Sequence, residues 1–293
     1  MTILDGFTSW RVVTSGAELT VARGGSGPPL LLIHGYPQTH AMWHKLAPQL
    51  AADFTVVAPD LRGYGDSACP PSDAEHYAYS KRVMAQDMAE LMAALGFAQF
   101  AVAGHDRGAR VTHRLCLDYP ERVTRAAVLD IAPTYTMFAT ADKAFGDAYY
   151  HWFFLSQPYD LPERLIGADP AYYLWAKLRK WGRDESAFTP AALAEYQRCF
   201  ARPECIHATC EDYRAAATID LAHDEADLGR RISCPLLALW GEKGFIAQKY
   251  DVLGVWRERA EDVRGRALPS GHFLPEEAPE ETYAELRAFF GAA

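Results

Sequence analysis

The stretch Phe100-Ala-Val-Ala-Gly-His-Asp-Arg-Gly-Ala-Arg110 constrains this chain more than any other part of it. An apolar run of strand-forming residues ends in Gly104-His105-Asp106-Arg107-Gly108, and a helical pattern carrying Val111, Leu115 and Tyr119 begins at once. A strand that passes into a helix within so few residues leaves no room for side chains on the inner flanks of the turn, and glycines at 104 and 108 meet that demand. The central side chain, Asp106, is then thrust outward at the end of a strand. Behind it lies a helix N-terminus, whose N–H groups and dipole favour negative charge. An N-cap role in a surface loop is the plainer alternative for Asp106. Strand, glycine spacing and helix together argue for a nucleophile, and a carboxylate in that place suits displacement at an sp³ carbon with formation of an enzyme ester.

The rest of the chain supplies a frame for such a turn. Short apolar runs at Leu30–Ile33, Thr55–Ala58, Phe100–Ala103, Ala126–Ile131, Leu236–Trp240 and Asp262–Leu268 alternate with helical stretches near 41–51, 80–95, 107–119, 246–260 and 279–291. Continuous apolar runs suit strands buried on both faces, and the alternation predicts a mostly parallel sheet covered by helices on both sides. The segment from Pro133 to Asp220 breaks the rhythm. It is rich in aromatics and helical in period, and it reads as a helical cap inserted into the sheet domain. The predicted division is a core domain of residues 1–132 and 221–293 and a cap of residues 133–220. Turn, sheet and insertion together describe an α/β class chain with the α/β-hydrolase fold.

In that fold the catalytic groups follow in the order nucleophile, acid, histidine. His272, in Gly271-His-Phe after the last predicted strand, is the candidate base that activates water. The acid has two candidates, Asp130 at the end of one strand and Glu242 after another; the residues favour Asp130 and leave Glu242 open. The loop His34-Gly35-Tyr36-Pro37 follows the strand Leu30–Ile33. The Tyr36 N–H is expected to supply one oxyanion donor and the Arg107 N–H the second. Asp60-Leu-Arg-Gly-Tyr-Gly-Asp-Ser67 is assigned a structural, turn-making role.

Charge narrows the ligand. The formal net charge is -9, which disfavours nucleic acid and anionic membranes as partners. Arg107 and Arg110 nonetheless flank the candidate nucleophile, and guanidinium pairs bind carboxylates through charge-assisted hydrogen bonds. The residues therefore point to a small anionic substrate. No apolar run is long enough to span a bilayer, and the start MTILDGFTSW lacks the basic and apolar regions of a secretory signal, so a cytoplasmic location is the default expectation. Cys199, Cys205 and Cys210 near His207 match no zinc spacing, and the six cysteines are expected to be reduced thiols. No metal and no cofactor are expected.

These residues resemble the fluoroacetate (haloacetate) dehalogenase family. The likeness runs along nearly the whole chain: His34-Gly-Tyr-Pro-Gln38, Gly104-His-Asp-Arg-Gly-Ala-Arg110, the strand end at Asp130, Tyr149-Tyr-His-Trp152 and Gly271-His-Phe-Leu-Pro-Glu-Glu277. The elbow carries Ala109 where glycine is often found in this fold. The resemblance implies Asp106 as nucleophile, Asp130 as acid and His272 as base, with Arg107 and Arg110 on the substrate carboxylate. It also implies a halide pocket of His151, Trp152 and Tyr213, hydrolysis of the carbon–halogen bond of a small haloacid such as fluoroacetate, and a homodimer. Imidazole N–H, indole N–H and phenol O–H are donors able to replace the hydration of a departing halide. The main alternative is an epoxide hydrolase, which shares the Asp nucleophile and protonates the epoxide with cap tyrosines; Tyr135, Tyr149, Tyr150 and Tyr213 keep it open. A haloalkane dehalogenase is disfavoured because that family usually has Trp where Arg107 stands. A non-catalytic binding protein is disfavoured by the complete triad.

Overall fold

The computed structural model describes residues 2–291. Among these, eight strands form one sheet: β1 Thr8–Val13, β2 Glu18–Gly24, β3 Pro29–Ile33, β4 Thr55–Pro59, β5 Phe100–His105, β6 Val123–Leu129, β7 Leu236–Gly241 and β8 Val263–Leu268. Their order is β1-β2-β4-β3-β5-β6-β7-β8. The pairs from β4 onward are parallel, whereas β1–β2 and β2–β4 are antiparallel. β3 to β7 are buried along most of their length, as strands with apolar side chains on both faces must be. The six expected strands are all present. The hairpin β1–β2 had no expectation; its β1 is an exposed edge strand whose sequence, TSWRVV, mixes polar and apolar residues and lacks a continuous apolar run.

Helices Lys81–Ala94, Arg107–Asp118 and Pro279–Gly291 agree with expectation. Two expected helices are interrupted. The segment 41–51 divides into a 3-10 turn His40–Trp43 and a helix Ala47–Leu50 that carries Pro48 in its first turn. The segment 246–260 divides into Phe245–Lys249 and Val252–Arg257, because the Asp251 carboxylate accepts the Gly254 N–H and starts a new helix. Strand β6 ends two residues sooner than expected: Asp130 has φ +53, outside the strand region, which turns the chain away from the sheet.

Between β6 and β7 the chain is helical, from Thr134 to Ala226, with no strand in the interval. This insertion is where the cap was expected. The division at 220/221 falls near the start of helix Ile219–Ala226, so the return to the core follows that helix. Parallel alignment places the carboxyl ends of β3, β5, β6 and β7 on one edge of the sheet, and the register sets Gly104 of β5 beside both Ile33 and Val128. Loops leaving those ends converge beneath the cap, the usual place for a ligand in an open α/β sheet.

Candidate active site

The turn after β5 is as tight as its sequence implies. Asp106 has φ +46 and ψ -112, a conformation that non-glycine residues rarely adopt. A Cβ on Gly104 would lie 2.4 Å from the Gly108 carbonyl, and one on Gly108 would lie 2.3 Å from the carbonyl of His34. Helix Arg107–Asp118 therefore packs directly against β3 and β5, and Asp106 projects from the joint. Gly35 performs the same service for the facing loop, where a Cβ would strike that of Asp106 at 2.5 Å.

Asp106 stands among the expected partners. Its Oδ1 accepts the Tyr36 N–H at 3.0 Å. Its Oδ2 lies 3.8 Å from Nε2 of His272. The other nitrogen, Nδ1, sits 2.6 Å from Oδ2 of Asp130, whose Oδ1 accepts the Gly241 N–H at 3.0 Å. Glu242 is exposed and away from this contact, so the acid partner of His272 is Asp130. The His105 ring holds the His272 carbonyl at 2.8 Å. Burial would raise the Asp106 pKa, but His272, His105 and the two arginines outweigh it and hold the carboxyl below its usual value. Burial would lower that of His272, but the hydrogen bond to Asp130, with the charges of Asp130 and Asp106, raises it.

A small cavity opens above Asp106, between core and cap. Asp106, Asp130 and His272 form its floor, and Arg110, His151 and Trp152 line it. Tyr149, Trp181 and Ile246 also line it; the sequence had raised Tyr149 only as a proton donor of the epoxide hydrolase alternative, and Trp181 and Ile246 not as site residues at all. Tyr149 stood in a family motif and Trp181 among the cap aromatics, but no spacing separates a cavity wall from core packing.

Several buried polar atoms here have no hydrogen-bond partner among the described residues: Nδ1 of His151, Oη of Tyr213, Nε1 of Trp181, Nε of Arg110 and Nη1 of Arg107. Unpartnered buried donors are uncommon, and their clustering marks a place prepared for an acceptor. His151 is fully enclosed. Burial first, then the charges of Lys177, Arg107 and His272, push its pKa well down, so its ring is a neutral donor.

The two arginines are not equivalent. Arg110 lines the cavity, its guanidinium 4.6 Å from the Trp152 ring centre and bonded to the Ala132 carbonyl and the Thr134 hydroxyl. Arg107 and Tyr213 are not part of the cavity lining. The Arg107 guanidinium grips the Asp212 carboxylate through Nε at 2.9 Å and Nη2 at 2.5 Å, and packs on the Tyr213 ring at 4.2 Å. Arg107 was expected as a free partner for a substrate; most of its donors are in fact committed to Asp212, and Nη1 remains. Asp212 was not foreseen, because a lone acid in a helix gives no local signal of a partner 105 residues away. Tyr213 touches the cavity wall through its neighbours, with ring centres 5.3 Å from His151 and 6.4 Å from Trp152.

Cys199, Cys205, Cys210 and His207 do not form a ligand cluster among the described residues. His207 faces Glu163, and Cys205 faces Cys69. A different trio, Asp66, Glu195 and Cys199, does come together, but Arg198 already lies between its two carboxylates and donates to both.

Comparison with known proteins places the chain in a family. The family model of the α/β hydrolase fold matches residues 28–279. The chain is 44% identical to a fluoroacetate dehalogenase of a Burkholderia species over 99% of this chain and 96% of that protein. The chain is an α/β hydrolase of the haloacetate dehalogenase family. Similarity extends within the fold to a soluble epoxide hydrolase of Corynebacterium sp. strain C12, at 33% identity over 97% of each chain. A solved α/β hydrolase from Nostoc sp. PCC 7120 superposes with a TM-score of 0.97, at 64% identity over 98% of this chain and 99% of that one. No helix among the described residues of this α/β hydrolase is long and apolar enough to cross a membrane.

Proposed function

We propose that this hydrolase cleaves the carbon–halogen bond of a small 2-haloacid, fluoroacetate above all, to give the hydroxy acid and halide through an ester on Asp106. The observation that carries the reading is the set of unpartnered buried donors around a small cavity whose floor is an ionised carboxylate. A neutral ligand has no use for Arg110 at the wall. A ligand with a carboxylate at one end and a leaving anion at the other uses both groups of donors.

Asp106 Oδ2 attacks the halogen-bearing carbon from the side opposite the halogen. The carbon–halogen bond breaks, and halide leaves toward His151, Trp152 and Tyr213. Arg110 and the remaining Nη1 of Arg107 hold the substrate carboxylate, which fixes the carbon in line. Water then gives a proton to Nε2 of His272 and adds to the ester carbon. The negative charge that develops on Oδ1 is met by the Tyr36 N–H, with the Arg107 N–H as second donor; loss of such a donor typically slows a reaction by about 10²–10³-fold. Asp130 holds the ring in the tautomer that accepts the proton and stabilises the imidazolium. On collapse the bond from the ester carbon to Oδ2 breaks, the imidazolium gives its proton to that departing oxygen, and the hydroxy acid leaves; one oxygen of water stays in Asp106, and its second proton passes to solvent. The halide-binding role of Tyr213 rests on its buried hydroxyl, which has no partner among the described residues.

A single turnover in ¹⁸O-labelled water tests the ester. Label in the Asp106 carboxylate supports it, and label appearing directly in the hydroxy acid eliminates it. Halide release from fluoroacetate, chloroacetate and 2-halopropionates, with Asp106→Asn as control, tests the substrate class.

The second reading is an epoxide hydrolase. It is favoured by Tyr149 at the cavity wall, by the unpartnered Tyr213 hydroxyl and by the Corynebacterium relative. Turnover of an epoxide panel with no halide release would establish it over the first. The exposed aromatic and aliphatic side chains of consecutive cap helices support assembly as a homodimer: Phe153, Tyr159, Leu161, Leu165 and Tyr172 are all more than two-fifths exposed.

A further inference from the structure

Two thiols from separate parts of the chain meet where the cap rests on the core. Cys69 lies in the loop that follows Asp60–Ser67, and Cys205 in the first turn of helix Pro203–Ala217, with their sulfurs 3.7 Å apart. They are separated by 136 residues of chain. The Arg202 guanidinium touches the Cys205 sulfur at 2.6 Å and also donates to the Gly65 carbonyl. Donation from the Cys69 thiol lowers the Cys205 pKa; burial opposes that, and Arg202 adds to the lowering. Cys205 is buried, but Cys69 and Arg202 are only half-buried, so the pair opens toward solvent on their side. None of these groups takes part in the proposed reaction.

We infer that Cys69 and Cys205 are a dithiol site that a peroxide converts to a reversible disulfide, tying cap to core. The Cys205 thiolate attacks one peroxide oxygen, the O–O bond breaks, and hydroxide leaves to take a proton; the sulfur becomes a sulfenic acid. The Cys69 sulfur, giving up its proton, attacks that sulfur. The S–O bond breaks, the S–S bond forms, and the oxygen departs as water. Two thiols lose two electrons, and one peroxide becomes two waters. Closing the bond requires the sulfurs to approach by about 1.7 Å, which side-chain rotation and a small shift of the helix supply. The helix so tethered also carries Asp212 and Tyr213, so the bond holds those residues against the core.

Cys116 and Cys234 are also neighbours, but both lie in the core and cannot join it to the cap. Peptide mapping must therefore identify the linked residues. After treatment with hydrogen peroxide, the full-length protein should yield a linked peptide containing Cys69 and Cys205, with loss of two hydrogens in intact mass. Dithiothreitol should reverse both. Because the link closes a long loop, the oxidised protein should melt a few degrees higher than the reduced one, and Cys69→Ser and Cys205→Ser should abolish both the peptide and the shift. Absence of that peptide from the oxidised wild-type protein overturns the inference, as does a melting shift that survives in Cys69→Ser. The mapping uses the wild-type chain, so it does not depend on how either variant folds.

Discussion

His272 has one carboxylate at each ring nitrogen, Asp130 at 2.6 Å and Asp106 at 3.8 Å, and only the first keeps its charge through the proposed reaction. In the resting protein both charges raise its pKa. Once Asp106 becomes an ester its charge is gone and one of the raising causes vanishes, which lowers the ring's pKa at the step that needs a base. We expect His272→Gln to release about one halide per active site in a burst and then stop, with the alkylated Asp106 peptide visible by mass spectrometry, since only the second step needs the base. Steady-state rate should fall on the acid side as His272 gains its proton. Asp130→Asn removes the largest raising cause, so it should move that acid limb to lower pH while reducing the rate by about 10²–10⁴-fold; a pH–rate profile measures both. Asp106 itself was legible because its glycines and helix are neighbours in sequence. Asp130 was less so, because the choice against Glu242 depends on which strand end faces His272.

Helix Pro203–Ala217 is the element on which cap and core depend most. Its Asp212 accepts from Arg107, from the Tyr64 hydroxyl at 2.6 Å and from Lys81, all without solvent. Asp212→Ala leaves the buried Arg107 without its carboxylate and Lys81 with Asp220 alone, and should destabilise the fold by about 3–5 kcal/mol in chemical denaturation. Asp212→Asn, which keeps one acceptor oxygen and the side-chain volume, should cost less. If Arg107 positions the substrate, Asp212→Asn should also raise KM for the haloacid more than it lowers kcat.

The turn after His272 forms a second joint. Glu276 is buried against Tyr196 and Gln38, and burial, opposed by the Tyr196 hydrogen bond and Lys45, raises its pKa to about 8. The folded form thus keeps this proton while an unfolded chain releases it at an ordinary carboxyl pKa. Stability is greatest below the unfolded value and is lost as pH rises toward about 8, by an amount on the order of a few kcal/mol. Glu276→Gln, neutral at every pH, should flatten the fall of melting temperature between about pH 5 and 8.

At the scale of the molecule, an acidic chain surrounds a cavity whose wall carries the Arg110 guanidinium, with Arg107 behind it. The net charge of -9 acts over the surface and is screened beyond about 8–10 Å in physiological salt, whereas Arg107 and Arg110 act at contact. The exposed cap side chains are the other molecular feature. A paired Leu165→Lys and Tyr172→Lys change should convert a dimer to a monomer in sedimentation without unfolding it, because Leu165 is 59% and Tyr172 72% exposed in the single chain. What the sequence alone determined was the local part: the turn that presents Asp106, the buried strands, the insertion, and the order of Asp106, Asp130 and His272. Such features are written in side-chain period and in glycines a few residues apart, where sterics decide. Only the tertiary structure decided that Asp130 meets His272, that Arg107 is bound to Asp212 while Arg110 faces the cavity, and that Trp181 and Tyr149 complete the wall. Those choices depend on groups scores of residues apart in sequence, brought together by sheet register and the seating of the cap, and no periodicity encodes which of many polar groups will end without a partner.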